Sequence, residues 1–141
     1  MPGVSASLRA AKPEAIYQNR ATLGAYLRKR RRELGHRQLD AAQEIGANPT
    51  SFMWWERDER EPSDHWWPSI IAYLGHEPWP VPTTTGERLL AERRRRGLAI
   101  CQAAAVMGVD ETTFWWWESG KRTPRYPRTK ALVAAFLSGQ S

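Results

Sequence analysis

Two runs of cationic side chains, RKRRR (28–32) and RRRR (93–96), are the residues of this 141-residue chain most obviously equipped to act on a partner. Guanidinium groups attract phosphate, so both runs read as nucleic-acid patches. On a helix, however, four consecutive arginines fan around most of the circumference and cannot all reach one duplex. Two readings stay open: a solvated basic face, and a general attraction for phosphate that steepens salt dependence without adding specificity. The whole chain leans the same way, with 21 Lys+Arg against 15 Asp+Glu and a pI near 10.0. That balance favours a polyanionic partner, of which nucleic acid is the commonest.

Other chemistries find little support. His36, His65 and His76 lack metal-ligand spacing with cysteines or carboxylates. No Ser/His/Asp set, phosphate-cradling glycine loop or carboxylate pair in a defined context is present. No enzymatic role, cofactor or metal is expected. The single cysteine, Cys101, rules out an intramolecular disulfide, fits a reducing compartment, and reads as a small packing residue. No apolar run approaches the roughly 18 residues needed to span a bilayer, and the N-terminus lacks the apolar stretch of a secretory signal. No membrane partner and a cytoplasmic location are the expectations.

The elements that position the cations are written twice. Sliding the chain by 62 positions superimposes residues 22–75 on 84–137 without a gap. Gly24 falls on Gly86, Leu27 on Leu89, Gly35 on Gly97, Ala41-Ala42 on Ala103-Ala104 and Gly46 on Gly108. Thr50-x-Phe52-x-Trp54-Trp55-Glu56 matches Thr112-x-Phe114-x-Trp116-Trp117-Glu118, and Arg60-x-Pro62 matches Arg122-x-Pro124. The register predicts a tail (1–21), a first domain (22–75), a Pro-rich linker HEPWPVPT (76–83) and a second domain (84–141). Prolines at every second position of the linker bar a helix and favour an extended, semi-rigid connector. The tail has few large apolar residues and is expected to be mobile, with a short helix near Ile16-Tyr17 at most.

Each repeat has a helical rhythm and lacks the β-branched alternation of strands. In the first, Leu23, Leu27 and Leu34 share a face of a helix that Gly35 stops. A second helix spans about Arg37 to Ile45 and ends at Gly46. Asn48 then reads as an N-cap, with Pro49 in the first helical position of a third helix that ends near Asp58. Pro68, Ile70, Ile71 and Leu74 mark a fourth, closed by Gly75. The second repeat follows the same plan, with Asp110 as cap and Pro127 opening the last helix. Two helices joined by a tight turn after Gly46 or Gly108 form a helix-turn-helix.

The chain holds eight tryptophans, and the three in TFWWWESG (113–120) cannot all point into one core. Phe52 and Trp55 lie three apart on one helix face, as do Phe114 and Trp117, so these are expected core residues. Trp54 and Trp116, with Met53 and Trp115, must face elsewhere. For Trp66, Trp67 and Trp79, packing of the linker onto the first domain and an interface with another unit are both open.

These residues resemble the phage-repressor/Cro-type (XRE) helix-turn-helix family. The pattern is G-x-x-Q-x-x-A-A-x-x-x-G, then a capped helix ending in W-E, then R-x-P, carried by 35–62 and less fully by 97–124. The resemblance implies an all-α protein of two tandem lambda-repressor-like domains, each of four to five helices. It also implies sequence-specific binding of double-stranded DNA by a bacterial or phage transcriptional regulator. Carried over by position, Arg37 and Gln38 would hold a phosphate; Ala99 and Ile100 replace them in the second repeat. Asn48, Pro49, Thr50 and Trp54 would stand in the major groove, as would Glu111, Thr112 and Trp116. Arg57 and Arg60 in one loop, and Lys121, Arg122, Arg125 and Arg128 in the other, would track the backbone. The family also implies pairing of a first-helix Arg with the Glu after the Trp: Arg31 with Glu56, and Arg93 with Glu118. An indole is an unusual base reader, because it offers one N–H and an apolar surface. The charge is uneven too: residues 22–75 hold eight basic and eight acidic side chains, whereas 84–141 hold ten and five. The two repeats in one chain could act as a pseudo-dimer. The alternative is a protein partner, or a second copy, docked on Trp54, Trp115 and Trp116.

Overall fold

The computed structural model describes residues 22–139, and the expected tail (1–21) lies outside them. The described residues form eight α-helices and one short 3-10 turn, with no strand. Contacts divide the chain into two compact units, one ending at Glu61 and the other beginning at Pro62.

The N-terminal unit holds α1 (Leu23–Glu33), α2 (Gln38–Ile45) and α3 (Pro49–Glu56). Thr22 caps α1 by accepting the Ala25 N–H at 3.1 Å. Leu27 points into the core, but Leu34 falls just beyond the helix and is 41 % exposed, so it leaves the face expected from its spacing. Helix α2 ends on Gly46 at φ +88°, a left-handed conformation that costs glycine little. Asn48 then accepts the Thr50 N–H at 2.7 Å, and Pro49 opens α3, where a missing N–H costs nothing. Helix α3 packs against both α1 and α2. Leu27, Ala41, Ala42, Ile45, Phe52 and Trp55 are buried.

The C-terminal unit holds the 3-10 turn (Asp64–Trp66), α4 (Trp67–Leu74), α5 (Thr85–Arg96), α6 (Ile100–Met107), α7 (Glu111–Ser119) and α8 (Pro127–Leu137). Its core repeats the first in register, with Leu89, Ala103, Ala104, Met107, Phe114 and Trp117, and adds Val133 and Phe136 from α8. Phe136 meets Phe114 edge to face at 5.9 Å. That geometry suits the quadrupoles of two rings.

The repeat register would give residues 62–75 to the first domain, yet α4 and its preceding turn pack on α5. The physical reasons are specific. Asp64 accepts from Arg93 of α5 at 2.7 Å. The ring of Pro68 lies against Gly97, where a Cβ would stand 3.0 Å from it. The Pro-rich stretch (76–83) forms no helix and folds back onto α4. Trp79 packs on Trp67 at 5.6 Å, and Arg94 lies over both rings, at 4.6 and 5.5 Å. Those contacts all fall within the C-terminal unit.

Candidate nucleic-acid interface

A buried ion pair joins two helices in each unit. Arg31 on α1 donates to Glu56 through Nε at 2.7 Å and Nη2 at 3.0 Å, and its Nη1 donates to the His36 carbonyl at 3.2 Å. Arg93 on α5 meets Glu118 at 2.7 and 2.9 Å and the Leu98 carbonyl at 3.0 Å. Bidentate geometry of this kind fixes α3 against α1 and α7 against α5. Burial pushes the Glu56 carboxyl up, but hydrogen bonds from Arg31 and Gln38 outweigh it and leave the group below the usual carboxylate range. Burial likewise works against the Arg93 charge, and the carboxylates of Glu118 and Asp64 more than restore it.

The helix crossing is made close by a glycine. The bare Cα of Gly86 faces the Glu118 carbonyl, where a Cβ would stand only 2.6 Å away. Gly24 faces the Glu56 carbonyl in the same way, with still less room for a Cβ.

The residues expected in the groove lie at the starts of two helices. Asn48, Pro49 and Thr50 are exposed at the start of α3, and Glu111 and Thr112 are exposed at the start of α7. The expected phosphate holders look different. Gln38 turns its amide nitrogen inward, donating to Glu56 Oε1 at 2.9 Å. The Arg37 guanidinium is gripped by Asp40 at 3.1 Å, and this pair holds the Asp40 carboxyl down at about 2.

Trp54 and Trp116 are half-buried, each beneath an arginine. Arg60 lies 3.8 Å over the Trp54 ring and Arg122 lies 3.8 Å over the Trp116 ring. Lys121 stands 4.8 Å over Trp115, which is 41 % exposed. Arg57, Arg125 and Arg128 are exposed to solvent. Between α7 and α8 an open cleft of about 740 Å³ is lined by Trp116, Lys121, Arg122, Arg125 and Tyr126 among others. Its lining includes three cations and no carboxylate, so it suits an anion.

Three features escaped the sequence reading: Asp64 as a partner of Arg93, Arg94 over Trp67 and Trp79, and the stacking of Arg60 and Arg122 on indoles. The last had a visible signal, because Trp54 and Arg60 recur in register as Trp116 and Arg122.

Residues 85–138 match the family described as a helix-turn-helix domain. No curated protein and no solved structure matches the chain. The matched segment runs from α5 through α8 of the C-terminal unit, and the class it matches is built around a helix placed to enter the major groove. Among the described residues no cluster of His, Cys, Asp or Glu is fit to hold a metal, and no helix is long and apolar enough to cross a membrane.

Proposed function

We propose that the protein binds double-stranded DNA with sequence specificity, as a bacterial or phage transcriptional regulator of the phage-repressor/Cro type. Its two helix-turn-helix units serve as tandem readers. The observation that carries this reading is the exposed start of α3 and of α7, each capped by a side chain and each held from beneath by the same buried Arg–Glu pair. A rigid helix with a solvent-facing N-terminal turn is what major-groove readout demands. Thr50 and Thr112 supply hydroxyls for base edges, and Glu111 can accept from cytosine. The loops after α3 and α7 supply cations for the backbone. The positive field is concentrated in residues 84–141, with ten basic against five acidic side chains.

Selection of bound duplexes from a random pool at near-physiological salt tests the proposal. Two enriched half-sites at a fixed spacing are expected of a pseudo-dimer, and the Thr50→Ala and Thr112→Ala proteins should each lose discrimination at one of them. A single enriched half-site would assign reading to one unit. Salt-sensitive binding with no enrichment would overturn sequence-specific readout. It would favour instead a protein partner docked on Trp54, Trp115 and Trp116.

A further inference from the structure

We infer that Trp54 and Trp116 do not read bases but serve as platforms that hold Arg60 and Arg122 edge-on to the phosphodiester backbone, one anchor in each unit. This deepens the DNA-binding reading and rests on it.

Three observations converge. First, the stack is present twice, at 3.8 Å from guanidinium carbon to ring centroid in both units. The residues involved are 62 apart in each case, so the pair recurs in register although the three residues before each arginine, 57–59 and 119–121, differ. Second, the backbone is built to fold each arginine back. After α3 the chain turns at Asp58, with φ +58°, and the Glu59 N–H returns to the Trp54 carbonyl at 2.9 Å. After α7 the turn is made at Gly120, and the Arg122 N–H itself returns to the Trp116 carbonyl at 3.2 Å. Two different turns deliver the same stack. Third, among the described residues neither guanidinium is paired with a carboxylate, although acids neighbour Arg60 in sequence.

The chemistry follows from the shape of the group. A guanidinium carries five N–H donors in its plane, and an indole face covers only a side of that plane. The donors stay free at the edge while the long side chain is held in one orientation. Two parallel N–H donors match two oxygens of one phosphate. Arg122 lines the basic cleft beside Lys121 and Arg125, which favours phosphate over a base edge. An indole at this place is thereby explained: it orients a donor that a flexible arginine alone would hold poorly.

The test uses the full chain and a fluorescent mixed-sequence duplex, titrated over a series of salt concentrations. Arg122→Gln should weaken binding and flatten the slope of log affinity against log salt by about one, because one phosphate contact is lost. Arg60→Gln should do the same to a smaller degree, since Asp58, Glu59 and Glu61 flank it. Trp116→Leu keeps every charge, so it should weaken binding about threefold to tenfold, the worth of a cation–π contact of roughly 0.6–1.4 kcal/mol. Trp116→Phe should recover part of that loss, and it replaces the leucine variant if that protein melts early by circular dichroism. Wild-type affinity in both Trp116 variants would overturn the platform. An unchanged salt slope in Arg122→Gln would overturn the phosphate contact. So would a loss confined to one base pair of a selected site, which would make Arg122 a base reader. If the unaltered protein does not bind the duplex at all, DNA binding itself fails and the anchors fail with it.

Discussion

Glu56 and Glu118 hold the same place in two copies of one sequence, but different neighbours complete their surroundings. In the N-terminal unit the Arg31–Glu56 pair is finished by Gln38, whose amide donates to the carboxylate at 2.9 Å. The corresponding residue of the C-terminal unit is Ile100, which packs partly buried against the core and has nothing to donate. There the extra partner comes from the other side of the pair, where Asp64 accepts from Arg93 at 2.7 Å. The requirement for a satisfied buried pair is common to both units, because an unmatched buried charge is expensive. The residue that meets it is interchangeable. The exchange also has an architectural effect, since Asp64 lies in the turn leading to α4 and ties that segment to α5.

The largest expected effect is Arg93→Ala. It strands Glu118 and Asp64 with no cation, and the loss should be about 3–5 kcal/mol in urea unfolding. Arg31→Ala should cost less, because Gln38 still donates to Glu56. Equal losses would show that Gln38 contributes nothing and would remove the contrast between the units. Next in size are Gly86→Ala and Gly24→Ala. Each puts a methyl group against a backbone carbonyl that cannot yield, so about 1–3 kcal/mol should be lost in thermal melts. The smallest effect concerns pH. The Asp40 carboxyl is held at about 2, below the roughly 3.9 of an unfolded chain, by its hydrogen bonds with Arg37. Its contribution is therefore present above the unfolded value and disappears as pH falls through about 2. Asp40→Asn should flatten that last part of the acid transition, followed by helical circular dichroism. An unchanged transition would show that the pair holds only the exposed surface.

Local structure was largely legible in the residues. Asn48 before Pro49, Asp110 before its helix, and the glycines at 46, 75 and 108 mark helix ends through chemistry that acts within a few residues. Phe52, Trp55, Phe114 and Trp117 declare a core face by spacing alone, and all four are buried. The partnership of α4 was not legible, because a repeat register says what a segment resembles and not which helix it packs against. The family resemblance implies a Gln38 turned outward to a phosphate, while its amide nitrogen faces Glu56. The Trp–Arg stacks depend on how the chain turns at Asp58 and Gly120, and no periodicity encodes that path.

Asp58 has a wider consequence. Its backbone takes the left-handed turn that glycine supplies at position 120, and its carboxylate reaches back to accept the Gly24 N–H at 2.9 Å and the Thr22 hydroxyl at 2.7 Å. The two ends of the three-helix segment are thus fastened to each other by one side chain. Fraying from the start of α1 must undo the turn after α3, and loosening that turn releases the start of α1. Such a segment has no separate weak end, so it opens as a closed loop in one concerted event.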